Sequence, residues 1–197
     1  MTVTEAAKTR RSIRKYTDEP MTLAQVDDIL SVAALAPSPS NLQPWRVKVV
    51  LDHARKQELM AVAYNQKQVG AAAAVLVIYS EMKEVLATIE ETIHPGMADR
   101  KEQVAKDTRA SFADFSDEML QWWGRGVSYI YMTYIVLAAV ERGYGVSTML
   151  GFDPPKVKAL LGIPEQAEIP VIIAIGRPAE EGFPHHRHPV DRVRSVW

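Results

Sequence analysis

The spacing of apolar residues predicts two kinds of β-strand. In residues 45–51, apolar side chains alternate with Arg46 and Lys48, the period-2 pattern of a strand with one buried face. Residues 71–79 and 169–175 are apolar throughout and rich in β-branched residues, which predicts strands buried on both faces. A further short strand is expected between Gly143 and Gly151.

Helices are predicted between these strands. A Thr22 and Gln25 capping pair followed by apolar residues at helical spacing predicts a helix over 22–35, and another is expected over 53–63. Residues 116–142 are apolar nearly all round, which indicates a helix buried within a domain or between subunits. Gly143 is expected to end this helix. A further helix is expected to begin with Asp153 as its N-cap and Pro154 at its first position, and to end at Gly162.

Two segments lack a clear period. Residues 37–44 carry three prolines and several small or amide side chains, which predicts an ordered loop. Residues 81–115 are charged and interrupted by His94, Pro95 and Gly96, so we expect two helical pieces with an exposed connection. With helices and strands interleaved and no repeat or linker composition, the sequence predicts one α/β or α+β domain.

Composition removes several classes of function. The 197 residues include no cysteine, so disulfides, thiolate nucleophiles, cysteine-ligated zinc and iron–sulfur clusters are excluded, and redox chemistry would need a bound cofactor. The 23 basic and 24 acidic residues nearly balance, which argues against a general nucleic-acid binder. The N-terminus has no signal-peptide pattern and the apolar stretch 127–140 is too short to span a bilayer, so a cytoplasmic location is expected.

The first candidate site is the segment 10–16, which holds four cations and a serine hydroxyl. Arginine forks and a hydroxyl match the oxygens of a phosphate. The alternative is the solvated basic end of a helix. The sequence alone leaves both open.

Two polar segments could bind a heterocycle. In the 37–44 loop, Asn41 and Gln43 each offer a donor and an acceptor, although a proline-stiffened turn explains the same residues. Asn65 and Gln68 precede the apolar run that begins at Ala71 and are spaced to face one ligand, with a plain helix C-terminus as the alternative.

Residues 143–153 combine glycines at both ends with a short strand, which permits close approach of the backbone. Thr148 stands where a dinucleotide fingerprint needs its third glycine, and no P-loop or serine-hydrolase elbow occurs. His185, His186 and His188 invite a metal site, but no carboxylate or cysteine supports them at helical spacing, so we disfavour it.

Taken together, these motifs resemble the FMN-dependent nitroreductase family. The resemblance spans nearly the whole chain and rests on RRSIRKY at 10–16, APSPSNLQPW at 36–45, YNQKQV at 64–69, GYGVSTMLGFDP at 143–154, LGIPE at 161–165, PVIIAIGRP at 170–178 and Arg187-His188-Pro189. It implies a single α+β domain over 1–197, a three-layer sandwich with a central mixed sheet flanked by helices, in an intertwined homodimer that binds FMN between its subunits.

The resemblance also implies roles for individual residues. Arg10 and Arg187 would hold the FMN phosphate, with Arg11 and His185 nearby, and Arg14 would lie near the N1–C2=O edge. Ser12 would contact the ribityl or pyrimidine side, Asn65 and Gln68 the pyrimidine ring, and Leu150 and Gly151 would present a backbone N–H to N5. From the other subunit would come Pro37, Ser38, Pro39 and Asn41.

Three residues depart from the family pattern. Gln68 and His185 stand where some relatives have lysine, and Pro39 where serine or threonine is usual, so the flavin potential and phosphate binding can differ. Residues 81–115 match no family motif and form a variable helical insertion expected near the substrate channel.

The implied activity is ping-pong hydride transfer from NADH or NADPH, through FMN, to a nitroaromatic, quinone or similar flat acceptor. The alternatives are a flavin-storing or flavin-sensing module, a dehalogenase, enone reductase or flavin-destroying enzyme of the same fold, and a cofactor-free helical interaction protein.

Overall fold

The computed structural model describes all 197 residues. Its four strands are β1 (Trp45–Val50), β2 (Ala74–Ser80), β3 (Gly145–Met149) and β4 (Glu168–Gly176). Its nine helices are α1 (Val3–Thr9), α2 (Leu23–Ala33), α3 (His53–Val62), α4 (Lys67–Ala71), α5 (Met82–Ala87), α6 (Lys101–Ala110), α7 (Asp117–Glu141), α8 (Pro154–Leu161) and α9 (Val190–Val193). Short 3-10 turns occupy Pro39–Asn41, Ile89–Glu91 and Pro95–Arg100.

The strands form one sheet in the order β1-β2-β4-β3, and every neighbouring pair is antiparallel. The parallel component expected of a mixed sheet is confined to a single bridge between Ser12 and Val146. The central strands β2 and β4 are apolar on both faces because helices cover both.

Alternate residues of the central strands enter two separate cores. Leu76 and Ile173 pack with α2 and α7 on one face, whereas Val77 and Ile172 pack with α3 and α8 on the other. The result is the expected sandwich of helices, sheet and helices. None of the helices is long and apolar enough to cross a membrane.

The predicted boundaries of α7 and α8 are confirmed. Ser116 caps α7, and Gly143 follows it with a positive φ of 77°. Asp153 caps α8 by accepting a hydrogen bond from Lys156 N–H, and Gly162 ends it at a φ of 59°. Both glycines adopt the left-handed backbone that favours glycine.

The predicted strand over 71–79 begins too early. Ala71 belongs to the short helix α4, and β2 starts at Ala74. The buried Lys56 explains the break, because its Nζ donates to the carbonyl oxygens of Ala72 (2.6 Å) and Ala73 (3.3 Å) where α4 ends. Burial lowers the pKa of this ammonium group.

The segment between β2 and α7 packs around a core of its own. Met82, Val85, Ile89 and Ala105 are buried there together with Leu120 of α7 and Leu42 of the 37–44 loop. The predicted helical pieces are therefore present as α5 and α6. They form a small unit beside the main sandwich.

Candidate functional site

The basic segment 10–16 lies along the edge strand β3. Ile13 N–H donates to the carbonyl oxygen of Val146 at 2.9 Å, which extends the Ser12 to Val146 bridge. Tyr16 then bridges to Pro178 after β4. These backbone contacts fix the segment beside the sheet, so its side chains project from a rigid support.

The structure brings the predicted phosphate-binding side chains together. One small cavity of about 200 Å³ is lined by Arg10, Arg11, Ser12, Arg14, Phe183, Pro184, His185 and Arg187. The four arginines take part in none of the ion pairs of the chain. The nearest carboxylate is that of Glu180, which accepts from the backbone N–H groups of Arg14 (2.7 Å) and Lys15 (3.2 Å) and forms no ion pair with the four guanidinium groups.

The electrostatics of Arg10 reflect this grouping of cations. Partial burial and the nearby charges of Arg187 and Arg11 lower the pKa of the Arg10 guanidinium, which nevertheless stays protonated at neutral pH. An anion bound between these groups would relieve the repulsion. The geometry thus favours the phosphate interpretation of this segment over a solvated helix end.

A larger cleft of about 770 Å³ adjoins this cluster. Arg10, Ser12, His185 and Arg187 form its cationic end. Its remaining walls come from α1, α7 and β3, through Val3, Thr4, Ala7, Lys8, Met132, Thr133, Val136, Leu137, Val146 and Thr148. A charged end and a mainly apolar wall suit a ligand that carries a phosphate at one end and a flat ring system at the other.

Sequence reasoning missed the contribution of α1 to this cleft. The helix is marked by a capping box in which Thr2 Oγ1 accepts from Glu5 N–H at 3.2 Å and Glu5 Oε2 accepts from Thr2 N–H at 2.7 Å. That pattern was present in the sequence and could have identified the helix. No sequence signal identified the wall from α7.

Two predicted segments distant in sequence meet at the end of β3. Gln66 Nε2 donates to the carbonyl oxygen of Gly151 at 2.6 Å, and Gln68 Nε2 donates to Gln66 Oε1 at 3.0 Å. Gln68 Nε2 also lies 3.3 Å from Met149 Sδ. Thr148, which lines the larger cleft, precedes Gly151 by three residues.

The peptide N–H groups of Leu150 and Gly151 make no hydrogen bond within the chain. Leu150 as a whole residue is 67% exposed. Two free donors at a glycine, next to the amides of Gln66 and Gln68, fit the polar edge of a flavin ring.

The remaining predicted residues lie elsewhere in the chain. Pro37, Ser38, Pro39 and Asn41 line neither cavity. Their loop is held by its own contacts, since Ser38 Oγ accepts from Gln43 N–H at 3.0 Å and Asn41 Nδ2 donates to the carbonyl oxygen of Thr92 at 2.7 Å.

Backbone strain is concentrated in the two amide-bearing loops. All five non-glycine residues with positive φ are in them: Ser40, Asn41 and Gln43 in one, Tyr64 and Asn65 in the other. Such conformations persist only where surrounding contacts impose them, and they cluster at ligand-binding sites.

An apolar pocket of about 500 Å³ lies at the start of α7. It is lined by Phe115, Glu118, Met119, Trp122 and Trp123. Trp122 is 69% exposed, which is unusual for so large an apolar side chain. Aromatic walls of this kind suit a flat organic molecule.

The family model described as "Nitroreductase family" matches residues 7–177, which include the basic segment, both amide loops and all four strands. The chain belongs to the nitroreductase family. The match includes the whole sheet and most of the cleft, whereas the cleft residues Val3, Thr4, His185 and Arg187 lie outside it.

Individual proteins are similar to this chain over most of its length. An NADH dehydrogenase of Thermus thermophilus is 44% identical over 193 residues, covering 98% of this chain and 94% of its own. An NADPH:FMN oxidoreductase from Vibrio harveyi, solved with NAD+, is 28% identical with a TM-score of 0.78 and covers 98% and 76% of the two chains. A protein of Exiguobacterium sibiricum assigned as a nitroreductase, solved in complex with FMN, is 26% identical with a TM-score of 0.87 and covers 100% and 98%.

Proposed function

We propose that this nitroreductase-family chain is an FMN-dependent oxidoreductase that accepts electrons from NADH or NADPH. The observation that carries the proposal is the group of unpaired arginines at one end of the larger cleft, followed along β3 by free backbone donors. The relatives solved with FMN and with NAD+ support the choice of cofactor and donor.

We assign the predicted residues to FMN from its phosphate to its ring system. Arg10 and Arg187 would hold the phosphate, with Arg11 and His185 beside them and Ser12 toward the ribityl chain. Asn65 and Gln68 would meet the pyrimidine ring, and the N–H groups of Leu150 and Gly151 would face N5. Arg14 would supply positive charge near the N1–C2=O edge, where charge develops on reduction.

When bound, FMN supplies hydride transfer between NAD(P)H and an acceptor in a ping-pong cycle. The protein contributes binding, orientation and exclusion of water, and none of its side chains is required as nucleophile or general base. The arginines would contribute through electrostatic attraction to the anionic cofactor.

The site is proposed to be shared between two copies of the chain. Pro37, Ser38, Pro39 and Asn41 of the second copy would complete the flavin site. The C-terminal residues Val190, Val193 and Trp197 are exposed. Apolar surfaces of this kind mark interfaces between subunits.

The whole chain, residues 1–197, is proposed as one FMN-binding domain with a variable helical insertion at 81–115. The insertion ends beside the apolar pocket of Trp122 and Trp123. We place the acceptor, a nitroaromatic, quinone or similar flat electrophile, near this unit. Stacking on indole rings is the physical reason for a flat acceptor.

The absorbance spectrum of the purified protein tests the proposal. The protein is expected to be yellow, to release FMN on denaturation, and to bleach when NADH or NADPH is added without oxygen. A yellow protein that neither nicotinamide reduces would instead indicate a flavin-binding module. A protein that stays colourless with added FMN would overturn the cofactor assignment.

The shared site has its own test. Analytical ultracentrifugation with detection at flavin wavelengths is expected to find FMN only on the dimer, because the contacts of Pro37, Ser38, Pro39 and Asn41 are missing from a single chain. Flavin absorbance sedimenting with a monomer would refute the shared site.

A further inference from the structure

The 37–44 loop and the insertion at 81–115 share one hydrophobic core. Leu42 is 1% exposed and packs with Met82, Val85 and Ile89 of the insertion rather than with either core of the main sandwich. Burial of this kind leaves Leu42 no surface with which to touch a ligand. Its position depends on how the insertion packs.

Asn41, the neighbour of Leu42, is also tied to the insertion. Its Nδ2 donates to the carbonyl oxygen of Thr92 at 2.7 Å, and its Oδ1 accepts from Gln43 Nε2 at 3.1 Å. Both ends of the amide are therefore used within the chain. Asn41 therefore fits the role of positioning the loop better than the role of binding the flavin edge directly.

The loop requires such support because of its backbone. Ser40, Asn41 and Gln43 have φ values of 50°, 54° and 46°, and left-handed conformations are unfavourable for residues other than glycine. The N–H groups of Asn41 and Gln43 bond to Ser38, and that of Leu42 bonds to Pro39. A relaxed loop would lose these bonds.

We infer that Leu42 and Asn41 are positioning residues through which the insertion sets the conformation of the 38–43 loop and hence the flavin affinity of the site that the loop completes. The inference rests on the proposed function, because the loop acts on FMN only if it belongs to a flavin site. It gives the variable segment an effect on the flavin itself, separate from any contact with the acceptor.

Leu42→Ala and Asn41→Asp test the two contacts separately. Leu42→Ala removes the side chain from the core of the insertion, whereas Asn41→Asp keeps the shape and removes the donor to Thr92. Ile163→Ala is the matched control, because Ile163 is a 5% exposed aliphatic residue in the opposite core, which the 37–44 loop does not enter. FMN dissociation constants are measured for the full-length dimer below the melting temperature of every variant.

Both loop variants are expected to weaken FMN binding about tenfold, which corresponds to a tenfold fall in the fraction of loop that is competent to bind. Amide hydrogen exchange of Asn41, Leu42 and Gln43 in the protein stripped of flavin is expected to accelerate in both. Ile163→Ala is expected to lower the melting temperature without either effect.

The inference is overturned if Leu42→Ala and Ile163→Ala lose similar stability while FMN affinity and loop exchange match the unmodified protein. If Leu42→Ala does not fold, the same measurements of FMN affinity and loop exchange on Leu42→Val and Asn41→Asp take its place. A wild-type protein that fails to bind FMN would refute the proposed function instead, and the exchange rates would still decide whether the insertion holds the loop.

Discussion

Ile13 packs directly onto the α-carbon of Gly145. A β-carbon placed on Gly145 would lie 2.8 to 3.0 Å from three carbon atoms of the Ile13 side chain, closer than packed carbon atoms approach. The absence of a side chain at Gly145 is therefore what lets the basic segment lie against β3. The position of Arg10 and Ser12 depends on it.

Gly145→Ala is expected to displace Ile13 and the arginines beside it. Overpacking of a buried contact costs about 1–3 kcal/mol, and FMN affinity is expected to fall with the stability because the cations move. Chemical denaturation and flavin titration measure the two effects. Gly126→Ala is the control, since nothing lies within 4 Å of a β-carbon there, and equal effects in both variants would contradict the steric explanation.

Arg187→Ala is expected to weaken FMN binding by about 1.5–3 kcal/mol, the scale of a hydrogen-bonding group that carries a charge. Flavin fluorescence titration measures the change. Arg192→Ala removes an exposed arginine from α9 that lines neither cavity, and it is expected to leave the affinity unchanged. Unchanged affinity in Arg187→Ala would remove Arg187 from the phosphate site.

Tyr16→Phe is expected to lower the free energy of unfolding by about 1 kcal/mol, the net value of one hydrogen bond. The Tyr16 hydroxyl donates to the carbonyl oxygen of Ile13 at 2.8 Å and lies 3.2 Å from that of Ala174, which joins the basic segment to β4. Urea denaturation provides the measurement. Tyr64→Phe, in which the lost hydroxyl is exposed and makes no hydrogen bond, should be neutral.

Stability is expected to decrease in alkaline solution through the same hydroxyl. Burial, assisted by the negative charge of Glu180, raises the pKa of Tyr16 above its ordinary value. Above a pH of about 10 an unfolded tyrosine loses its proton while the folded one retains it, so the folded state binds more protons and stability falls as pH rises. The fall between pH 9 and 11 should be smaller in Tyr16→Phe, and identical pH profiles would disprove the link.

The sequence predicted the elements whose signals are local. The limits of α7 and α8 follow from Ser116, Asp153 and two glycines, and β4 follows from its unbroken apolar run. The start of β2 was wrong because alanine accommodates helix and strand alike. The start of β2 depends instead on Lys56, which is distant in sequence and binds the carbonyl oxygens at the end of α4.

The same distinction applies to the candidate site. The cations of the segment 10–16 and of Arg187 could be assigned from residue type and family pattern, and the structure brings them together. The bond from Gln66 to Gly151 and the bond from Asn41 to Thr92 join segments 85 and 51 residues apart. Contacts of that range depend on the whole fold, and no local pattern encodes them.

The ends of the insertion are close in space, since Lys83 Nζ lies 2.7 Å from Asp117 Oδ2. Between them the chain builds a core that the sheet does not share. The free-energy cost of closing a loop grows only slowly with its length. Such a segment can therefore change in sequence or length without a change in the sheet. The insertion is therefore free to vary over a constant sheet, but each variation reaches the proposed flavin site through Leu42 and Asn41, so we expect acceptor preference and flavin affinity to change together.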